Sequence, residues 1–160
     1  NTFSDSVSFS SVVADAKAKG YTEPDPRDDL SGLDVARKLI ILGREIGANI
    51  ELKDVKVQSL VPMSDADMAK LQTEADARGE VLRYVGIVNA EGKASVELKS
   101  YSKTHSFSRL SGTDNIIAFT TARYSKQPLI VQGPGAGPDV TAAGIFADLL
   151  RLASYVRAPL

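Results

Sequence analysis

The sequence predicts an α+β fold: a mixed, largely antiparallel sheet with helices packed on one face. Three observations point there. Apolar residues recur at helical spacing through the first part of the chain. Two alternating runs follow, separated by Asn89-Ala-Glu-Gly92, which suits a hairpin. Grouping helices first and strands after them favours helices that cover one sheet face.

The elements follow in order. Phe9, Val12, Val13 and Ala16 share one face of a helix from Phe9 to Lys19, with Gly20 as its stop. Leu33, Ala36, Leu39, Ile40 and Ile46 mark a second helix, Leu33 to Ile46, ended by Gly47. Ser31 and Asp34 have the spacing of its start signal. Val55, Val57 and Ser59 alternate with Lys56 and Gln58, as in a half-buried strand. Ser64 caps a polar helix that Gly79 stops. Strands are expected at Val81–Val88, Lys93–Tyr101, Asn115–Thr121 and Pro128–Val131. A closing helix spans Pro138 to Val156, with proline in its first turn.

Composition narrows the function. At 160 residues and 17.0 kDa, one domain over 1–160 is the natural count. A net charge of −1 with dispersed Lys and Arg argues against a nucleic-acid surface or an anionic membrane. No apolar run reaches the ~18 residues of a spanning helix. No cysteine is present, which excludes disulfides, thiolate metal sites and a cysteine nucleophile, and suits the cytoplasm. The single histidine, His105, reads as a packing or surface residue, and no metal site is expected.

The densest chemistry lies between Gly20 and Lys38. Five carboxylates (Glu23, Asp25, Asp28, Asp29, Asp34) share nineteen residues with two arginines and a lysine. Pro24 and Pro26 stiffen the run, so Glu23 and Asp25 are expected on a rigid extended turn. Asp34 and Lys38 stand at i and i+4, on one helix face. Such a pair alone is usually a surface ion pair, and Ser31-x-x-Asp34 alone is usually a cap. Capping does not require five crowded acids. A rigid acidic turn beside a carboxylate–ammonium pair suits a small zwitterionic ligand that exchanges a proton. Gly133-Pro-Gly-Ala-Gly137 is a second candidate, either a tight strand-to-helix turn or a place where backbone meets a ligand.

The run Gly20-Tyr-Thr-Glu-Pro-Asp-Pro-Arg-Asp-Asp-Leu-Ser-Gly-Leu-Asp-Val-Ala-Arg-Lys38 resembles the signature of homoserine dehydrogenases. Gly79-Glu-Val-Leu-Arg-Tyr-Val-Gly86, Gly112-Thr-Asp-Asn115 and the stretch from Gln132 to Leu150 continue the resemblance in order and spacing. It covers essentially the whole chain. It implies an NAD- or NADP-dependent enzyme of threonine, methionine and isoleucine synthesis. Such an enzyme interconverts L-homoserine and L-aspartate 4-semialdehyde. Carried over, Glu23 and Asp34, with Tyr21 and Thr22, bind homoserine. Lys38 donates and accepts the proton at the carbinol oxygen, and Asp29 orients it. Gly20 and Gly137 border the cofactor.

The resemblance also implies a homodimer that joins sheets across a two-fold axis. It places a second lysine upstream, outside this chain. The family begins with a nucleotide-binding domain whose glycine fingerprint is not found here, so the chain is read as an excised substrate-binding and dimerisation part, inactive alone. Helix 138–156 would then pack on the missing domain. The wording from Leu30 to Leu42 leans towards the last domain of a bifunctional aspartokinase–homoserine dehydrogenase. The alternative, from a different class, is a non-catalytic amino-acid-binding or dimerisation module.

Overall fold

The structure, a computed structural model, describes residues 7–22, 24–112, 114–135 and 137–157. The contact pattern divides the chain into two compact units, 1–108 and 109–160.

The first unit holds helices α1 (Phe9–Ala18), α2 (Pro26–Leu30), α3 (Leu33–Glu45) and α4 (Asp65–Ala77), with strands β1 (Val55–Val57), β2 (Glu80–Val88) and β3 (Ala94–Ser102). The strands form one mixed sheet in the order β1-β3-β2. β2 and β3 are antiparallel, with Tyr84 opposite Leu98 and Val88 opposite Ala94. β1 runs parallel to β3, with Val55 beside Ala94. The mixed α+β class expected from the sequence is therefore the observed one.

The core lies where α3 crosses this sheet. Ala36, Leu39, Ala48, Ile50, Val55, Ala94 and Val96 are buried together, and Tyr84 and Val88 pack against them. The stripe Ala36–Leu39–Gly43 is the buried face of α3, as its spacing demands. Leu39 sits directly over Gly86, where any added Cβ would meet its side chain at 2.9 Å. α4 begins with a capping box in which Ser64 and Asp67 satisfy each other's backbone. Asp65, in its first turn, accepts from the Ser10 amide at 2.8 Å and the Ser10 hydroxyl at 2.6 Å, tying α1 to α4.

The second unit contains β4 (Asp114–Phe119), β5 (Leu129–Pro134) and α5 (Pro138–Tyr155). β4 and β5 pair antiparallel, with Asn115 opposite Gly133. β5 runs three residues further than the periodicity suggested, because Gln132, Gly133 and Pro134 still pair with β4. Along α5, Ile145, Phe146, Leu149 and Leu152 are all exposed.

Two features around the acidic run differ from the sequence reading. The segment after Pro24 is not extended throughout, because residues 26–30 close into α2. Asp25 caps it, accepting from the Arg27 amide at 3.0 Å, and Pro26 supplies a fixed φ at the first position. Nor is Ser31 the cap residue of α3, although its Oγ accepts from the Leu33 amide at 3.3 Å. It ends α2, its hydroxyl donating to the Asp28 carbonyl at 2.6 Å, and Gly32 becomes the cap residue of α3 at φ +80°. Only Ser31 and Gly32 separate the two helices; Ser31 is still right-handed, and the left-handed glycine makes the reversal.

Gly32 is constrained by space as well. A Cβ there would collide with the Tyr84 hydroxyl and come within 2.8 Å of Val57 Cγ1. The Tyr84 hydroxyl is committed, donating to the Gln58 carbonyl at 2.7 Å, and burial pushes its phenol pKa up. Gln58 in turn extends the β1–β3 ladder, with its amide donating to Val96 and its side-chain oxygen accepting from the Leu98 amide at 2.9 Å. Gly32→Ala should cost about 2–4 kcal/mol, from left-handed strain and overpacking together. Urea unfolding of the 160-residue chain measures it; a loss below about 0.5 kcal/mol would show that the niche relaxes freely.

Candidate active site

Asp34 and Lys38 stand on the side of α3 opposite its buried stripe. Lys38 Nζ lies 2.8 Å from Asp34 Oδ2, and the side chains are 62% and 56% exposed. Gly32 sets where this helix starts, and Leu39 over Gly86 sets how deeply it sits. The pair thus projects from a rigid element without being buried in it. Exposure at this level is also what an ordinary i, i+4 ion pair shows, worth a few tenths of a kcal/mol.

Around the pair, Asp25 is held by Arg27 through three short guanidinium contacts, of 2.9, 3.0 and 2.6 Å. Those bonds, with the Arg27 amide, lower the Asp25 carboxyl pKa to about 2. Asp25 is thereby a cap and ion-pair partner of α2. Asp29 lies on α2, exposed and one residue ahead of the turn to α3. Tyr21 is exposed and Thr22 half-buried. Glu23 lies outside the described residues.

Gly20 has a local explanation. The Gly20 amide donates to Lys17 and the Tyr21 amide to Ala16, each at 3.0 Å, so Gly20 at φ +72° closes α1 in a Schellman motif. The helix end requires this glycine whether or not a ligand lies beside it. Gly137, in the second unit, has φ +121° and precedes Pro138 at the start of α5. Among the described residues, and leaving out chain neighbours, no atom lies within 4 Å of the Cβ position at Gly133, Gly137 or Gly20, so the backbone is open to them at each.

Among the described residues, no group of three His, Asp or Glu side chains could hold a metal ion. His105 packs locally. Its Nδ1 accepts from the Phe107 amide at 3.1 Å, and its ring lies 4.6 Å from that of Tyr101. Residues that sequence reasoning passed over are the supports. Tyr84 lies in an expected strand and is given no role by the sequence; its hydroxyl reaches across to Gln58 beside the α3 start. The signal lay in a glycine between Ser31 and Leu33, which needs a reason to be there.

Asp25 carries a pH signature. Its folded pKa lies below the ordinary carboxylate value, so its contribution is fully present above about pH 4 and is lost as pH falls through 2. Asp25→Asn keeps a capping side chain but removes the charge. The stability gap between wild type and Asp25→Asn should therefore shrink between pH 4 and 2. Urea titrations at pH 7, 4 and 2.5 read it, and a gap independent of pH would contradict the Arg27 pairing.

Comparison with known proteins places the whole chain. It is 55% identical over 177 aligned residues to bifunctional aspartokinase/homoserine dehydrogenase 1, chloroplastic, of Zea mays, covering 99% of this chain and 19% of that one. It is 43% identical to the homoserine dehydrogenase of Schizosaccharomyces pombe, covering 95% of this chain and 46% of the relative. The chain thus spans about a fifth of the plant relatives and just under half of the fungal one. Among solved structures, a Candida auris protein of unknown function superposes with a TM-score of 0.86 at 42% identity, over 96% of this chain and 48% of its own. Staphylococcus aureus homoserine dehydrogenase superposes at 0.79 and 28% identity, over 98% of this chain and 39% of its own. The family model described as homoserine dehydrogenase matches residues 1–150, and the chain belongs to the homoserine dehydrogenase family.

Proposed function

We propose that the complete protein carrying this chain interconverts L-homoserine and L-aspartate 4-semialdehyde with NAD or NADP. The observation that carries the proposal is the Asp34–Lys38 pair, held outward on the glycine-started helix of a chain whose first 150 residues match the family. The open backbone at Gly133 and Gly137, with first-turn amides of α5 beyond, fits a dinucleotide. When bound, that cofactor accepts the hydride from the carbinol carbon of homoserine.

The chain's own residues handle charge and proton. Asp34, with Glu23, offers carboxylate to the substrate ammonium, and Tyr21 and Thr22 line the same stretch of chain. Lys38 as a neutral amine takes the hydroxyl proton while the carbinol carbon loses its hydride, leaving the aldehyde. In the reverse direction the Lys38 ammonium returns that proton to the aldehyde oxygen. Asp29 orients Lys38. Gly20 and Gly137 border the cofactor.

The exposed apolar residues of α5 support a covering partner, which in this reading is the nucleotide-binding domain of the complete protein. The same reading assigns 1–160 to substrate binding and dimerisation and places the protein in the cytoplasm, although the plant relatives are named chloroplastic. Among the described residues, no helix is long and apolar enough to cross a membrane.

Two experiments test this. In the complete protein, Lys38→Ala should lower turnover by roughly 10²–10⁴-fold with near-normal folding. An ion pair alone would cost a few tenths of a kcal/mol and no rate. Retention of more than about a tenth of wild-type turnover returns Lys38 to an ordinary helix cation. Asp34→Asn should instead raise the KM for homoserine. The 160-residue chain alone should self-associate in sedimentation and form no NADPH from homoserine and NADP+. A strict monomer would sink the dimerisation reading, and measurable turnover would sink the cofactor reading.

A further inference from the structure

Arg83 is a half-buried cation with no carboxylate partner among the described residues. It stands on β2 opposite Lys99, another cation. Lys99 turns to Glu97 on its own strand, at 3.0 Å. Arg83 takes backbone carbonyls instead. Its Nη1 donates to Leu82 at 2.8 Å, its Nε to Phe107 at 2.8 Å and its Nη2 to Ser108 at 2.9 Å. Burial pushes its pKa down, and the carbonyls offset that cost. Phe107 and Ser108 are consecutive, and two nitrogens of one planar group reach them. A guanidinium holds its donors in such a fork; an ammonium is a point charge on a flexible stem.

These two carbonyls belong to the last two residues of the first unit. The turn that carries them after β3 is shaped by its own bonds. The Ser102 carbonyl accepts from the His105 amide at 2.9 Å and from the Ser108 hydroxyl at 2.6 Å. The Ser108 amide donates to the His105 carbonyl at 3.0 Å. The Phe107 ring meets Tyr101 edge-on, with centroids 5.2 Å apart. Near the start of the turn the Lys103 amide donates to the Gly79 carbonyl, a long bond at 3.4 Å. Arg83 ties the far end of the turn to β2 itself.

We propose that Arg83 is a positioning residue: its fork, closed on the Phe107 and Ser108 carbonyls, fixes where the chain leaves the first unit. On the dehydrogenase reading, on which the kinetic consequence rests, Lys38 lies before this exit in the chain and Gly137 lies beyond it. Releasing the exit then costs turnover and leaves the homoserine contacts of the first unit in place, since misplacement by about 1 Å is worth up to roughly 10²-fold in rate.

The test is Arg83→Lys in the complete protein, which keeps the charge and loses the fork. Hydrogen exchange should quicken at least about tenfold over residues 102–109 and less than about threefold over α3. Equal quickening in both would be a general loss of stability, and none at 102–109 would mean that the fork holds nothing; either result overturns the anchor. At saturating substrates kcat should fall by about tenfold or more, while the KM for homoserine changes less than about threefold. An unchanged kcat, or a loss carried by KM alone, overturns the positioning role. Arg83→Gln, which gives up charge and fork together, should behave alike and carries the test where Arg83→Lys fails to fold. The exchange arm is independent of the reaction: local quickening with no homoserine oxidation by wild type would reject the proposed enzyme and keep the anchor.

Discussion

The position of the candidate site depends on one crowded point, the space beneath Gly32. Three structural demands meet there. The chain must reverse between α2 and α3, which demands a left-handed residue. Tyr84 must rise from β2 to reach the Gln58 carbonyl, which fills the space where a side chain at 32 would go. Gln58 must carry the ladder from β1 to β3 beyond the last paired residue. The helix start, the sheet edge and the Tyr84 hydroxyl are thereby locked together. Asp34 and Lys38 contribute nothing to this lock. They inherit their place from it, exposed and weakly bonded as they are.

The sequence disclosed the periodic parts well and the contingent parts poorly. α3 and α4 were legible because their apolar spacing, capping box and stop glycines agree. The β2–β3 hairpin was legible because two strand-forming runs flank a tight turn, and they pair over nine residues each. α2 was not, since five residues are too few to show a period, and two prolines beside acids read as an extended turn. Ser31 was misassigned for a related reason. Its spacing to Asp34 is a true capping pattern, but a preceding helix claimed the serine first. The acidic run was legible as a cluster, while which acids are already committed was not. Asp25 proves to be bound to Arg27, a distinction that needs coordinates.

The contrast between Asp25 and Asp34 bears on function. Both carboxylates face a cation at short range. Arg27 grips Asp25 through several nitrogens and its own amide, a fork geometry that leaves little for another partner. Lys38 meets Asp34 as a single point charge, on one oxygen. A carboxylate has further acceptor sites, and an ammonium has three donors. The arginine pair is closed and structural; the lysine pair is open to a third group. The residue types chosen at these two places fit the division of labour that the proposed reaction requires.

Ala36 and Gly43 on α3, and Gly86 and Ala94 beneath, are small residues, and among the described residues Ile50 and Val96 are the largest side chains that are fully buried. α3 therefore lies close on the sheet, and its inward stripe is narrow. A narrow stripe leaves a wide outer face, on which Leu33, Asp34, Lys38 and Ile41 are all exposed. Proton transfer to a carbinol oxygen gains from excluding water. On the proposed reading, this chain supplies the outward-facing floor of such a site. On the proposed reading, the exclusion of water falls to chain beyond these 160 residues, in keeping with relatives of which they match only a part.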